Sequence, residues 1–97
     1  MPGASKNPVL LTSEVIRAAR ALLRWEQRHL ADQSSVSLPT IKRLEAKPGL
    51  LTGHNTTLLA LRSALEEGGI EFIDENGGGP GVRLRKSASS KKPKESR

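Results

Sequence analysis

Residues 27–45, QRHLADQSSVSLPTIKRLE, decide how this chain folds. Two runs with apolar residues at helical spacing flank a short polar break. Leu30 and Ala31 face inward from the first run, Ile41 and Leu44 from the second, and Val36 lies between them. Ser34-Ser35-Val36 reads as a tight turn. Ser37 is a good N-cap for the second helix, which extends to about Ala46. Pro39 falls in its first turn, where a missing N–H does no harm and the fixed φ helps. Lys42 and Arg43 then face outward. A small residue at the contact (Ala31) and an apolar set holding two helices at a fixed angle are what lets the second helix project into a DNA major groove.

The upstream segment Ser13 to Arg24 also has helical periodicity. Ser13 is its expected cap and Glu14 a favourable first-turn charge. Val15, Ile16, Ala19, Leu22 and Leu23 form its apolar face, with Arg17, Arg20 and Arg24 on another. The helix of the central pair that precedes the turn is expected over Glu26 to Gln33. Downstream, Lys47-Pro48-Gly49 ends the helix that begins near Ser37, and a loop leads to a fourth helix over Asn55 to Glu67. Leu58, Leu61 and Leu65 are its apolar stripe, and Gly68-Gly69 stops it so that Ile70 folds back on it. The period then changes to two. Ile70 and Phe72, then Val82 and Leu84, flank a Gly-rich connection and predict a β-hairpin over 70–85. Its inner face is Ile70, Phe72, Val82 and Leu84, and its outer face carries Glu71, Ile73, Arg83 and Arg85.

The expected architecture is therefore mainly α: four to five helices with a short C-terminal β-hairpin, spanning residues 11–86. The ends, 1–10 and 87–97, are expected to be disordered, because neither carries apolar periodicity.

Sixteen Lys and Arg against 10 Asp and Glu give a formal charge of +6. Much of the excess lies in the tail KSASSKKPKESR, which favours a polyanionic partner or simply keeps the chain in solution. The rest is nearly balanced, so a basic surface there must come from arrangement. No cysteine is present, which excludes disulfides and thiolate metal sites. No apolar run approaches the length of a membrane span and none reads as a signal peptide, so a cytoplasmic protein is expected. His29 and His54 lack an obvious third ligand, and no metal is expected. Gly77-Gly78-Gly79-Pro80-Gly81 is followed by no helix and no Lys-Ser/Thr pair, so it fails as a phosphate loop. No nucleophile, base and acid combine into a recognisable set. We expect no enzyme activity and no cofactor.

Residues 16–47, IRAARALLRWEQRHLADQSSVSLPTIKRLEAK, resemble the Cro/XRE-type (phage-repressor-like) helix-turn-helix family. The resemblance lies in the IR-x-x-R start, the W-x-Q-x-x-LA segment and VSLPTIKRLEA. Together with residues 55–85 it resembles a subgroup of small stand-alone bacterial regulators that end in a Gly-rich segment and a basic strand. It implies a repressor-like fold, double-stranded operator DNA as partner, and control of transcription. Gln27 takes the place of a phosphate-binding glutamine, and the first turn and outer face of the helix after the turn take the place of base readers. The implied DNA-binding set is Gln27, Arg28, Ser37, Leu38, Pro39, Thr40, Lys42, Arg43 and Lys47. Arg43 is the best base reader, since a guanidinium pairs with both acceptors of guanine, and Lys42 suits a phosphate. Arg20 and Glu45 are implied to form an internal ion pair. Trp25 is expected in the core and His29 on the surface. Ser35 replaces the usual turn glycine, at a cost of about 1 kcal/mol if its φ is positive. Glu26 replaces the usual capping Ser or Thr.

The hairpin has three readings: a dimer edge using Phe72, Ile73, Arg83 and Arg85, a wing on the phosphate backbone, or a lid on the core. A homodimer on two half-sites is expected. The rival function is a protein-interaction module, antitoxin-like or binding a partner regulator.

Overall fold

The computed structural model describes residues 11–74 and 77–86; the expected disordered ends lie outside these. Four helices are followed by a two-stranded hairpin: α1 (Ser13–Leu23), α2 (Gln27–Ser34), α3 (Leu38–Ala46), α4 (Asn55–Gly68), β1 (Ile70–Ile73) and β2 (Gly81–Leu84). The strands are antiparallel, pairing Ile70 with Leu84, Glu71 with Arg83, Phe72 with Val82 and Ile73 with Gly81. No helix among the described residues is long and apolar enough to cross a membrane.

The periodic apolar positions meet in one core. Ile16 and Ala19 from α1, Leu30 from α2, Ile41 and Leu44 from α3, and Leu58, Leu61 and Leu65 from α4 are all buried, and Ile70 closes it from the hairpin. Each buried aliphatic side chain contributes about 1.5–3 kcal/mol relative to exposure. Leu11 and Leu51 join them from the loops, through a connection the periodicity did not announce. Leu51 N–H donates to Leu11 O at 2.8 Å and Ser13 N–H to Gly49 O at 3.0 Å. The loop after α3 is thereby stitched to the start of α1, and the Glu14 carboxylate accepts from Gly49 N–H at 3.2 Å.

That stitching fixes where α1 begins, and it moves the cap. Thr12, not Ser13, has the extended capping backbone, and its Oγ1 accepts from Val15 N–H at 3.0 Å. Ser13 is already helical and fully buried. At the far end Arg24 is left-handed (φ 61°), so the helix stops at Leu23, one residue earlier than expected. Leu22 is also corrected. Expected on the apolar face, it is 40% exposed. The corner at Gly68 and Gly69 packs on Leu23 instead, leaving Leu22 on the outer side of the last turn.

The hairpin packs against α1 as well as α4, mostly through β2 on the α1 side. Its inner face holds in part: Ile70 is buried and Phe72 and Val82 are half-buried, but Leu84 is 49% exposed. Arg85 departs from the outer face altogether. Its guanidinium turns under the sheet and donates to the Glu66 and Ile70 carbonyls at 3.1 and 3.3 Å. Carbonyls at a helix C-terminus lack helical partners, and a cation there satisfies them. Arg83 stays outward and pairs with Glu71.

Candidate nucleic-acid interface

α2 and α3 are joined by the turn the sequence announces. Ser35 is left-handed, with φ 63° and ψ 18°, and donates its N–H to Ala31 O. A Cβ in that region costs about 1 kcal/mol relative to glycine. Ser34 Oγ accepts from Val36 N–H at 3.1 Å and helps fix the reversal. Ser37 then caps α3, its Oγ accepting from Thr40 N–H at 3.3 Å and donating to Thr40 Oγ1 at 2.9 Å. Ser37 is spent on its own helix, and the Thr40 hydroxyl proton is the donor left over.

α3 is anchored from behind by a polar knot. Arg20 grips Glu45 with two parallel bonds, Nε to Oε2 at 2.8 Å and Nη2 to Oε1 at 2.7 Å, and its Nη1 reaches Trp25 O at 3.0 Å. Gln27 Nε2 donates to Glu45 Oε1 at 3.0 Å. Arg17 Nη1 donates to the Glu45 carbonyl at 2.9 Å, serving an acceptor at the end of α3. The Glu45 side chain is only 4% exposed, so a charge is buried with its oxygens well supplied by donors. Such a site holds geometry more than it adds stability, and removing one partner is costly. The Arg20–Glu45 pair is the one the resemblance implies; the parts of Arg17 and Gln27 in this knot are not indicated by spacing. Gln27 commits one amide hydrogen to Glu45 and keeps the other unbonded.

The outer side looks different. Arg28, Ser37, Pro39, Lys42, Arg43 and Lys47 are exposed, and Leu38 and Thr40 are half-buried. A shallow groove between α2 and the start of α3 is lined by Arg28, Asp32, Val36, Ser37 and Leu38, among others. Asp32 is the one acid on it. Among the described residues, the side chains of Arg24, Arg28, Lys42, Arg43 and Lys47 make neither a hydrogen bond nor an ion pair, and all five lie between positions 24 and 47. Every other described Arg or Lys has a partner.

The flank of this unit is closed by Trp25. Its ring stacks on His29, with centroids 4.4 Å apart and planes within 9°. Trp25 is half-buried rather than enclosed, and a Cβ on Gly68 would sit 2.7 Å from two of its ring atoms. His54 stands apart at the N-cap of α4. No group of three or more His, Cys, Asp or Glu suited to a metal occurs among the described residues. Of the residues expected at a dimer edge, Phe72 lies under the Arg62 guanidinium at 4.7 Å and Ile73 is 37% exposed.

A scan against protein-family models finds no match. A search of curated proteins returns no relative.

Proposed function

We propose that this chain is a sequence-specific DNA-binding protein that reads duplex DNA with α3 and regulates transcription. The observation that carries this is that, among the described residues, every Arg or Lys side chain without a partner lies within residues 24–47, around a helix whose opposite side is locked by Glu45. A surface that keeps several exposed cations without protein partners is suited to a polyanion whose phosphates neutralise them. The helix-turn-helix geometry gives them an edge to present.

The roles follow from side-chain chemistry. Arg43 pairs with the O6 and N7 acceptors of a guanine. Lys42, Arg28 and Lys47 meet phosphates. Thr40 donates its hydroxyl proton and Gln27 its second amide hydrogen. Leu38 and Pro39 pack on a thymine methyl, so direct readout is sparse. One α3 covers few base pairs, and useful specificity needs two copies on half-sites about 34 Å apart. The protein then works in the cytoplasm, on the nucleoid when bound.

Selection of bound fragments from random duplex DNA at two salt concentrations tests this. An enriched sequence that Arg43→Ala relaxes at one base pair, at a cost of about 1–3 kcal/mol, supports it. No enrichment at either salt concentration, or an affinity indifferent to salt, rejects it in favour of a protein partner.

A further inference from the structure

The hairpin's ladder can be read from one bond. Arg85 N–H donates to Gly69 O at 2.7 Å, which makes that pair a hydrogen-bonded one. Antiparallel pairs alternate, so Glu71 with Arg83 and Ile73 with Gly81 are also hydrogen-bonded, whereas Ile70 with Leu84 and Phe72 with Val82 are not. The backbone N–H and C=O of Val82 and Leu84 therefore point away from β1. No hydrogen bond among the described residues reaches them. The opposite edge differs, since Ile70 O accepts from Arg85. β2 thus presents an open row of four backbone groups, with Leu84 exposed beside it.

We propose that a second copy of this chain pairs with β2, antiparallel, about a two-fold axis at Arg83. This goes beyond the DNA reading and does not depend on it. In this register Val82 of each copy faces Leu84 of the other, and all four outward groups on each strand find partners. Shifting the axis to Val82 would place Pro80, which has no N–H, opposite the Leu84 carbonyl. On the outer face Arg83 meets Arg83 of the second copy. Like charges opposite one another are ordinarily unfavourable. Each Arg83, however, already holds the two oxygens of its own Glu71 at 3.1 and 3.2 Å, so the row across four strands is acid, base, base, acid and neutral overall. On the inner face Leu84 comes to lie beside Val82 of the other copy and continues the apolar row of Phe72 and Ile70. The interface is isologous, as a two-fold dimer requires. It also removes an edge that otherwise invites indiscriminate pairing.

The chain has no cysteine, so a single introduced thiol reports one position. Sedimentation equilibrium without DNA is expected to show a dimer at micromolar concentration. Arg83→Cys is expected to cross-link between copies under mild oxidation, because the axis brings the two thiols together, while Ile73→Cys on the far strand does not. Leu84→Pro removes an outward N–H without touching the intrachain ladder and is expected to give a monomer with the helical circular dichroism unchanged. Should that variant unfold, the pair of cysteine variants decides. A wild-type chain that stays monomeric overturns the proposal, whether the edge stays open, is covered by the chain's own residues 1–10 or awaits a different protein. So does a dimer in which Ile73→Cys cross-links and Arg83→Cys does not, or one that a folded Leu84→Pro retains.

Discussion

Between Arg24 and Lys47 every arginine and lysine is unpaired; outside that stretch every described one holds a protein group. Arg17 and Arg20 grip Glu45, Arg62 reaches Glu66 and Phe72, Arg83 takes Glu71, and Arg85 closes the end of α4. The same side chain thus does two jobs. Where its partner lies within the chain it fixes geometry, and where none exists it is available to whatever arrives. Composition cannot separate the two, since both regions are rich in arginine. The separation comes from which acids and carbonyls the fold brings within reach.

The largest expected effect tests the paired side. Arg20→Ala leaves a buried carboxylate without its main donor and is expected to cost about 3–5 kcal/mol in urea unfolding. Arg43→Ala, on the unpaired side, is expected to stay within about 0.5 kcal/mol. Equal losses would erase the distinction. Next comes Gly68→Ala, which sharpens it by probing how tightly the locked side is packed. Alanine is favoured over glycine in a helix by about 1 kcal/mol. The added Cβ would nevertheless meet the Trp25 ring at 2.7 Å, so a net loss of about 1–3 kcal/mol is expected in a thermal melt. A variant stabler than the wild type would show that the ring moves freely.

Smaller still is the contrast between Arg17→Ala and Lys42→Ala. The first removes one donor from the Glu45 carbonyl and is expected to cost about 1 kcal/mol of stability. The second is expected to leave stability alone and lower the salt slope of DNA binding by about 1. The smallest effect is a pH dependence at two exposed carboxylates. Glu14 is held below the usual carboxylate range by its own backbone N–H and then by that of Gly49, and Glu71 by Arg83. A folded-state value below the unfolded one contributes stability above the ordinary carboxylate range. That stability is lost as pH falls through the range towards the folded value. Glu14→Gln is expected to flatten the acid limb of a melting-temperature profile slightly; an unchanged limb would mean that the loop stitch does not depend on the charge.

Much of this was legible in the sequence. Ile16, Ala19, Leu30, Ile41, Leu44, Leu58, Leu61 and Leu65 announce themselves by period, and Ser35 and Ser37 by local backbone chemistry. Local rules reach that far because they concern residues within a turn of each other. What escaped them is long-range. Thr12 displaces Ser13 because Gly49 and Leu51 set the start of α1. Leu22 turns outward because the Gly68 corner sits on Leu23. Arg85 follows the period of two in its backbone, yet its long side chain seeks the carbonyls of α4. At the candidate site the outward residues of α3 were readable from spacing alone. That Gln27 is half committed to Glu45 was not, because eighteen positions separate them and only the fold brings them together.

The stack of Trp25 on His29 has a consequence for how this molecule can be watched. The chain has one tryptophan and no tyrosine, so its near-ultraviolet emission comes from a single indole. That indole sits where the end of α1, the start of α2 and the end of α4 converge. The protein therefore carries its own lamp at the corner where three helix ends meet, and needs no dye to report a change in the packing there.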